Sequence, residues 1–409
     1  MKRASVVAWL VLAVACSPSA AEQDDSPGTS AVTTLAPPAV PTSSEPPPTT
    51  SSTTAVPPPT VPLPVPDLPR DWYLAWSSGR LEDDFAATLA ALAGVDMVSV
   101  VHVGLAHLVP STGADAPSGD VPADGFVFPL ETFIVDPATY GNAMSPSSAR
   151  ALATLGPGEV GLGASSAELR DLGPGDTMEL RPGGVVTVGA VFPDEHVGAA
   201  EVVTTDASLV PSAEPRFVVF HHVGDPATLA RDLDGAYDYP VRLAGRGDTP
   251  YFRHGDSVLP QVAVKLRFGE FAFRPGPGAR FTIDPAWLEA NIVTVDLPLL
   301  GVTRCHRDVA DLVDQAMEQL IEMGKADVID PSAFAGCWNP RFIAQRRGIS
   351  RHAWGAAVDI NIFNPLDGPG SPVDRALVDV MSGLGFTNGS MWLSPDPGHF
   401  EWYGDDPPS

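Results

Sequence analysis

Near its C-terminal end the chain carries Ser350-Arg351-His352-Ala353-Trp354-Gly355-Ala356-Ala357-Val358-Asp359. About forty residues on comes Asp396-Pro397-Gly398-His399-Phe400-Glu401-Trp402. His352, Asp359 and His399 are two imidazoles and one carboxylate. That donor set suits a single zinc ion with a fourth position left open for water, as hydrolytic sites keep and structural sites do not. Asp396 lies three residues before the last histidine, a suitable place for a carboxylate that handles protons.

Such ligands need stiff backbone behind them. Gly355 to Ile362 alternates toward its end as a strand does. This puts Ala357, Asp359 and Asn361 on one face and Val358, Ile360 and Ile362 on the other. His352 falls on the loop before it, and the small residues 355 to 357 would leave room for metal and substrate. His399 and Glu401 are two apart, so a strand there gives them one face. Glu401 could then orient an imidazole N–H or meet substrate. Upstream, Val309, Leu312, Val313, Ala316, Met317, Leu320 and Ile321 form one apolar stripe of a helix that Gly324 ends. Ser371-Pro372-Val373-Asp374 predicts the start of a second helix, running through Met381.

Ser350-x-His352-x-x-Gly355-x-Ala357-x-Asp359 resembles the zinc motif of the LAS-type metallopeptidases. These are the D-alanyl-D-alanine carboxypeptidases and L-alanyl-D-glutamate endopeptidases of bacterial wall metabolism. Asp396-x-x-His399-Phe400-Glu401 is similar to the second motif of that family, closest to the endopeptidase branch. The resemblance covers roughly residues 300 to 403. It implies one Zn2+ held by His352, Asp359 and His399, with Asp396 taking a proton from water and passing it to the leaving amine. It also implies an upstream arginine that steadies substrate charge, a place that Arg341 resembles. Ser350, Glu401 and Trp402 are the neighbours implied to meet substrate or back the ligands. The implied substrate is a peptidoglycan stem peptide, cut by a carboxypeptidase or an endopeptidase. A zinc-containing domain that binds the wall or a protein without hydrolysis is the alternative.

The other histidines, His102, His107, His196, His221, His222, His254 and His306, lack such a pattern and read as structural or solvated. The formal net charge of -26 excludes a nucleic-acid binder and electrostatic attachment to anionic lipid. Lys2 and Arg3 precede an apolar stretch, Val6 to Ala15, which is too short to span a bilayer. Cys16 then follows Ala13-Val14-Ala15, a pattern that resembles a bacterial lipobox. An ordinary signal peptide cleaved near Ala20-Ala21 remains the other reading. Both place the protein outside the cytoplasm, as a lipoprotein that meets the membrane only through its lipid anchor or otherwise as a secreted protein. Cys305 and Cys337 would then form an even pair. As a disulfide in an exported protein they would close a loop of about 32 residues, worth about 3 kcal/mol.

The expected fold class is α+β, in four parts. Residues 1–16 are the signal segment. Residues 17–70 form a disordered tether: 13 prolines fall between Pro37 and Arg70. Its extended reach is roughly 165 Å. Residues 71–260 form a separate α+β domain, and 261–409 hold the zinc domain (a small antiparallel sheet with flanking helices) and its lead-in. Within 71–260, Phe85 to Leu92 predicts a helix, as does Ala149 to Leu155. Asp96 to Leu105 and Arg216 to His222 predict strands. Thr177 to Leu180 and Val185 to Val191 predict a hairpin around Arg181-Pro182-Gly183-Gly184. Leu172 to Asp194 is similar to hairpins in extracytoplasmic domains of exporter-type ABC permeases. Residues 71–260 carry no catalytic constellation and could contact an envelope partner.

Overall fold

The computed structural model describes residues 71–110, 125–343, 348–362 and 373–404. Cys16, the segment 17–70, Arg346-Arg347 and Ser371-Pro372 lie outside these residues. Nine strands make the first sheet: β1 Trp72–Ser77, β2 Val95–Leu108, β3 Phe128–Ile134, β4 Glu159–Gly163, β5 Thr177–Arg181, β6 Gly184–Phe192, β7 Val202–Thr204, β8 Glu214–His222 and β9 Val241–Gly245. Their order is β3-β7-β4-β6-β5-β2-β8-β1-β9, and β3 also pairs with β2.

That extra pairing closes six strands into a ring, which leaves them no open edge. The long β2 makes it possible. Its first half pairs with β8, and its second half pairs with β3 and, at the tip, β5. Alternation along β5 and β6 sends Met178, Leu180, Val186 and Val188 into the ring. There they pack with Leu130, Val160, Leu162 and Val202. Beyond the ring, β8, β1 and β9 form an open wing. Helices Phe85–Ala90 and Pro226–Ala236 cover one of its faces with Phe85, Leu89, Leu229 and Leu233.

The C-terminal part builds smaller sheets around its own core. β10 Phe273–Pro275 pairs with β11 Phe281–Ile283, and β12 Ile292–Leu297 with β13 Gly301–His306. β14 Ala357–Asp359, β15 Phe386–Gly389 and β16 Asp396–Trp402 form an antiparallel sheet in the order β14-β16-β15. Helix Arg307–Glu322 buries Val309, Ala310, Val313, Ala316, Met317 and Leu320. Ile321, expected in that stripe, is exposed, and Ala310 takes its place on the buried face. Helix Arg375–Gly383 starts from Asp374, whose side chain accepts from the Ala376 N–H. Overall this is a mixed α/β architecture with a small C-terminal antiparallel sheet, consistent with α+β.

All described residues fall in one compact unit, Val65–Ser409. Val127 and Phe273 exchange both backbone hydrogen bonds, at 2.9 and 2.8 Å, and Val127 sits in the C-terminal core. Helix Gln261–Phe268 faces both ways. Val264 and Phe268 enter the C-terminal core. On its other side Lys265 Nζ, fully buried, pairs with Glu201 at 2.6 Å and Glu270 at 2.8 Å. Arg170 joins the same two carboxylates, and Gln261 donates to Glu201. Burial alone would raise the Glu201 carboxyl, but the Lys265 and Arg170 charges prevail and hold it below the usual range.

Candidate metal centre

The turn Arg351–Trp354 carries His352, and β14 follows it at once. Gly355 joins the two with φ +66. A Cβ here would meet the His306 backbone nitrogen at 2.5 Å. Ala356 and Ala357 are buried as well, so the small residues are demanded by neighbouring protein and not by ligand space. β14 ends at Asp359. Asn361 turns to φ +56, where its side chain binds the Asp330 N–H and the Val328 carbonyl, so it does not share Asp359's face as expected. In the adjacent β16, His399 lies directly opposite Asp359 in the antiparallel register, and Glu401 opposite Ala357. The pleat turns His399 and Glu401 to the site and Phe400 to the core, where it is fully buried.

Three donor atoms converge. His399 Nδ1 is 2.7 Å from Asp359 Oδ1, His352 Nε2 is 3.1 Å from the same oxygen, and the two nitrogens are 3.2 Å apart. Tetrahedral ligands about 2.0–2.1 Å from one zinc stand about 3.3 Å from each other, so a small adjustment fits this triangle around an ion. It is the sole such cluster among the described residues. Both imidazoles are held from behind. His352 Nδ1 lies 2.7 Å from the Cys337 carbonyl, which requires N–H there and leaves the Nε2 lone pair for a metal. His399 Nε2 lies 3.3 Å from Glu401 Oε1, which does the same for Nδ1. The Cys337 carbonyl is itself anchored, because Cys337 is bonded to Cys305.

The electrostatics suit a cation. Burial favours a neutral Asp359, but hydrogen bonds and charge from His352 and His399 outweigh it and keep the carboxyl well below its usual range. Burial also opposes charge on His399. Its bonds to Asp359 and Glu401 nevertheless push it up to about 10. Without metal, a proton holds the carboxylates together. A divalent ion would replace that proton.

His399 faces a cleft of about 200 Å³. Asp396, exposed at the start of β16, lines it together with Arg341 and Ser350. Ser350 donates its backbone N–H to the Arg341 carbonyl at 3.1 Å, which ties the arginine's loop to the metal motif. Trp402, expected to meet substrate or back the ligands, is on the opposite face of β16. It packs on Phe268, with Arg267 over its ring. Trp392 forms the wall instead, its ring 5.1 Å from His399.

The far side of the cleft comes from residues that the motif reading left out. Ser257 donates to Glu401 Oε1 at 3.1 Å, and Arg253, His254 and Asp256 lie on the same loop. No periodicity or spacing marks Phe252-Arg253-His254-Gly255-Asp256-Ser257 as part of a site. Only the fold brings it across.

Residues 344–402 match the sequence profile of a family described as D-alanyl-D-alanine carboxypeptidase. The match supports a peptidase domain of this type at the C-terminal end, and peptidases of this family generally use zinc. No curated protein matches the sequence. Among solved structures, the periplasmic region of MacB from Actinobacillus actinomycetemcomitans is similar to 43% of this chain and 88% of that one. The identity is 10% and the TM-score 0.29, a level that carries no argument.

Proposed function

We propose that this protein hydrolyses peptide bonds in peptidoglycan stem peptides with the help of one zinc ion, as a D-Ala-D-Ala carboxypeptidase or an L,D-endopeptidase. The observation that carries this reading is the converged triad of His352, Asp359 and His399, each imidazole fixed from behind, with His399 and Asp396 lining one cleft. When bound, zinc supplies Lewis acidity and makes water a nucleophile near neutral pH. The chain's own groups do the rest. Asp396, open to the cleft, accepts the proton of the attacking water and returns it to the leaving amine. Arg341 offers a fixed positive charge to the substrate. Trp392 and the loop 253–257 narrow the cleft and exclude solvent.

The same reading places the protein outside the cytoplasm, held at the membrane by a lipid on Cys16 or released as a secreted enzyme. Among the described residues no helix is long and apolar enough to cross a membrane. The test is purified peptidoglycan incubated with zinc-loaded wild type and with Asp396→Ala. Mass spectrometry of the muropeptides then names the bond. Release of D-alanine or cleaved stem peptides by wild type alone supports the reading. If both proteins bind the wall and neither cuts it, the domain is a binding module.

A further inference from the structure

The cleft holds a buried cation whose hydrogen bonds are incomplete. Arg253 is 7% exposed and lines the cleft that also contains Asp396, His399 and Glu401. Its Nη2 reaches Glu131 at 3.2 and 3.4 Å, the longer end of the range for a guanidinium–carboxylate pair. Its Nε and Nη1 have no partner among the described residues. Arg351, one residue before His352, is similar: Nη2 donates to the Leu259 carbonyl at 2.7 Å, and Nε has no partner among the described residues. A buried donor left unmatched is costly, more so where the group is charged. The acidic groups close by are already engaged. Glu401 takes His399 and Ser257, and Asp256 takes the Leu393 N–H.

A planar fork with spare donors, walled from water, matches a carboxylate. We propose that Arg253, from outside the peptidase-like segment, forms with Arg351 a subsite for a carboxylate of the peptide substrate. Recognition is then divided between two parts of the molecule. The C-terminal sheet holds the metal and Asp396, and the loop after the nine-stranded sheet reads the charge of what enters. This inference rests on the peptidase reading above for the identity of the ligand as a peptide. The carboxylate could be the chain terminus or an acidic group within the stem, and the probes separate the two.

The test uses the full chain, metal-free, and three blocked peptides followed by calorimetry. One ends in D-Ala-D-Ala with a free carboxylate. The second is its carboxamide. The third is amidated at the end but carries an internal γ-linked D-glutamate. The peptide whose carboxylate is read should bind about tenfold or more tightly than the neutral carboxamide. The gap should shrink to about threefold or less in Arg253→Gln. As a second readout that does not depend on the variant's folding, the Arg253 Nε–H signal of arginine-labelled wild type should move with a carboxylate peptide and not with the carboxamide. A full gap in Arg253→Gln, no gap in wild type, or an unmoved Nε–H signal would overturn the subsite. Failure of zinc-loaded wild type to cut any of these peptides or purified peptidoglycan, with the gap intact, would overturn the peptidase reading and leave the subsite standing.

Discussion

At the residue scale, each titratable group at the centre is placed by a partner that restricts what it can do. Glu401 holds the His399 N–H, so Glu401→Gln should leave the fold in place and weaken zinc binding about 10- to 100-fold, measured by competition with a chelating dye. Asp396 contacts no ligand of the triad among the described hydrogen bonds, and the role proposed for it is proton transfer. Asp396→Asn should therefore keep one zinc per chain by elemental analysis and lower kcat by about 10²–10⁴. The pH behaviour follows from His399. Its folded value, pushed up to about 10, lies above the ordinary 6.5. In metal-free protein its stabilising contribution is complete below about 6.5 and disappears as pH rises through 10. Zinc must displace that proton. Binding at pH 7–8 should thus release protons into a weakly buffered solution, and affinity should rise with pH through this window. A titration with no proton release would show that His399 is already neutral in the metal-free protein at that pH.

At the element scale, the site is assembled by short, pinned segments. The turn Arg351–Trp354 is held to the loop of Cys337, and that loop is bonded to the end of β13 by Cys305. Replacing both cysteines by alanine should cost about 3 kcal/mol of stability through the loop closure it removes. It should also weaken zinc binding, since the Cys337 carbonyl would no longer be held against His352. Calorimetry read with and without zinc separates the two effects. The β15–β16 loop, which carries Trp392 and leads into Asp396, is gripped from the first sheet. Arg242 Nη2 donates to the Met391 carbonyl at 2.7 Å, Asp256 accepts from the Leu393 N–H at 3.3 Å, and Ser78 meets Ser394 at 2.5 Å. Single losses at the exposed Arg242 and Ser78 contacts should alter substrate affinity more than stability.

At the scale of the whole molecule, the first sheet is part of the enzyme-like cleft and not an appendage of it. The sequence suggested a separable domain, and residues 265–409 could be tried alone. That piece would lack Arg253, Ser257 and Val127, whose backbone bonds to Phe273. It would also carry Lys265 stripped of Glu201, with Glu270 its one remaining carboxylate. Its expected outcome is poor folding by circular dichroism and little activity, against full activity for the whole chain. The buried cluster of Arg170, Glu201, Lys265 and Glu270 gives a matching prediction. Glu201→Gln leaves two buried cations undercompensated and should cost about 3–5 kcal/mol by urea unfolding. Glu201 is held below its usual range, so its contribution is present above the unfolded value and is lost as pH falls through the lower folded one.

The cluster of His352, Asp359 and His399, the stripe of helix Arg307–Glu322, the hairpin β5–β6 and the Cys305–Cys337 pair were legible from residue types and spacing. Each depends on contacts between residues near one another in the chain, or on a donor set that few patterns reproduce. The alternation argument failed at Asn361, because that side chain found better hydrogen bonds in a neighbouring loop than a strand could offer. It placed Trp402 near substrate or the ligands, where the pleat and the Phe268 ring took it to the far face. Arg253, Ser257 and the closed ring of strands stayed hidden for a physical reason. Their meaning comes from contacts between residues far apart in the chain, which depend on how β2 bends to pair with three partners. Local chemistry determined what could hold an ion, and tertiary packing alone decided what stands across the cleft from it.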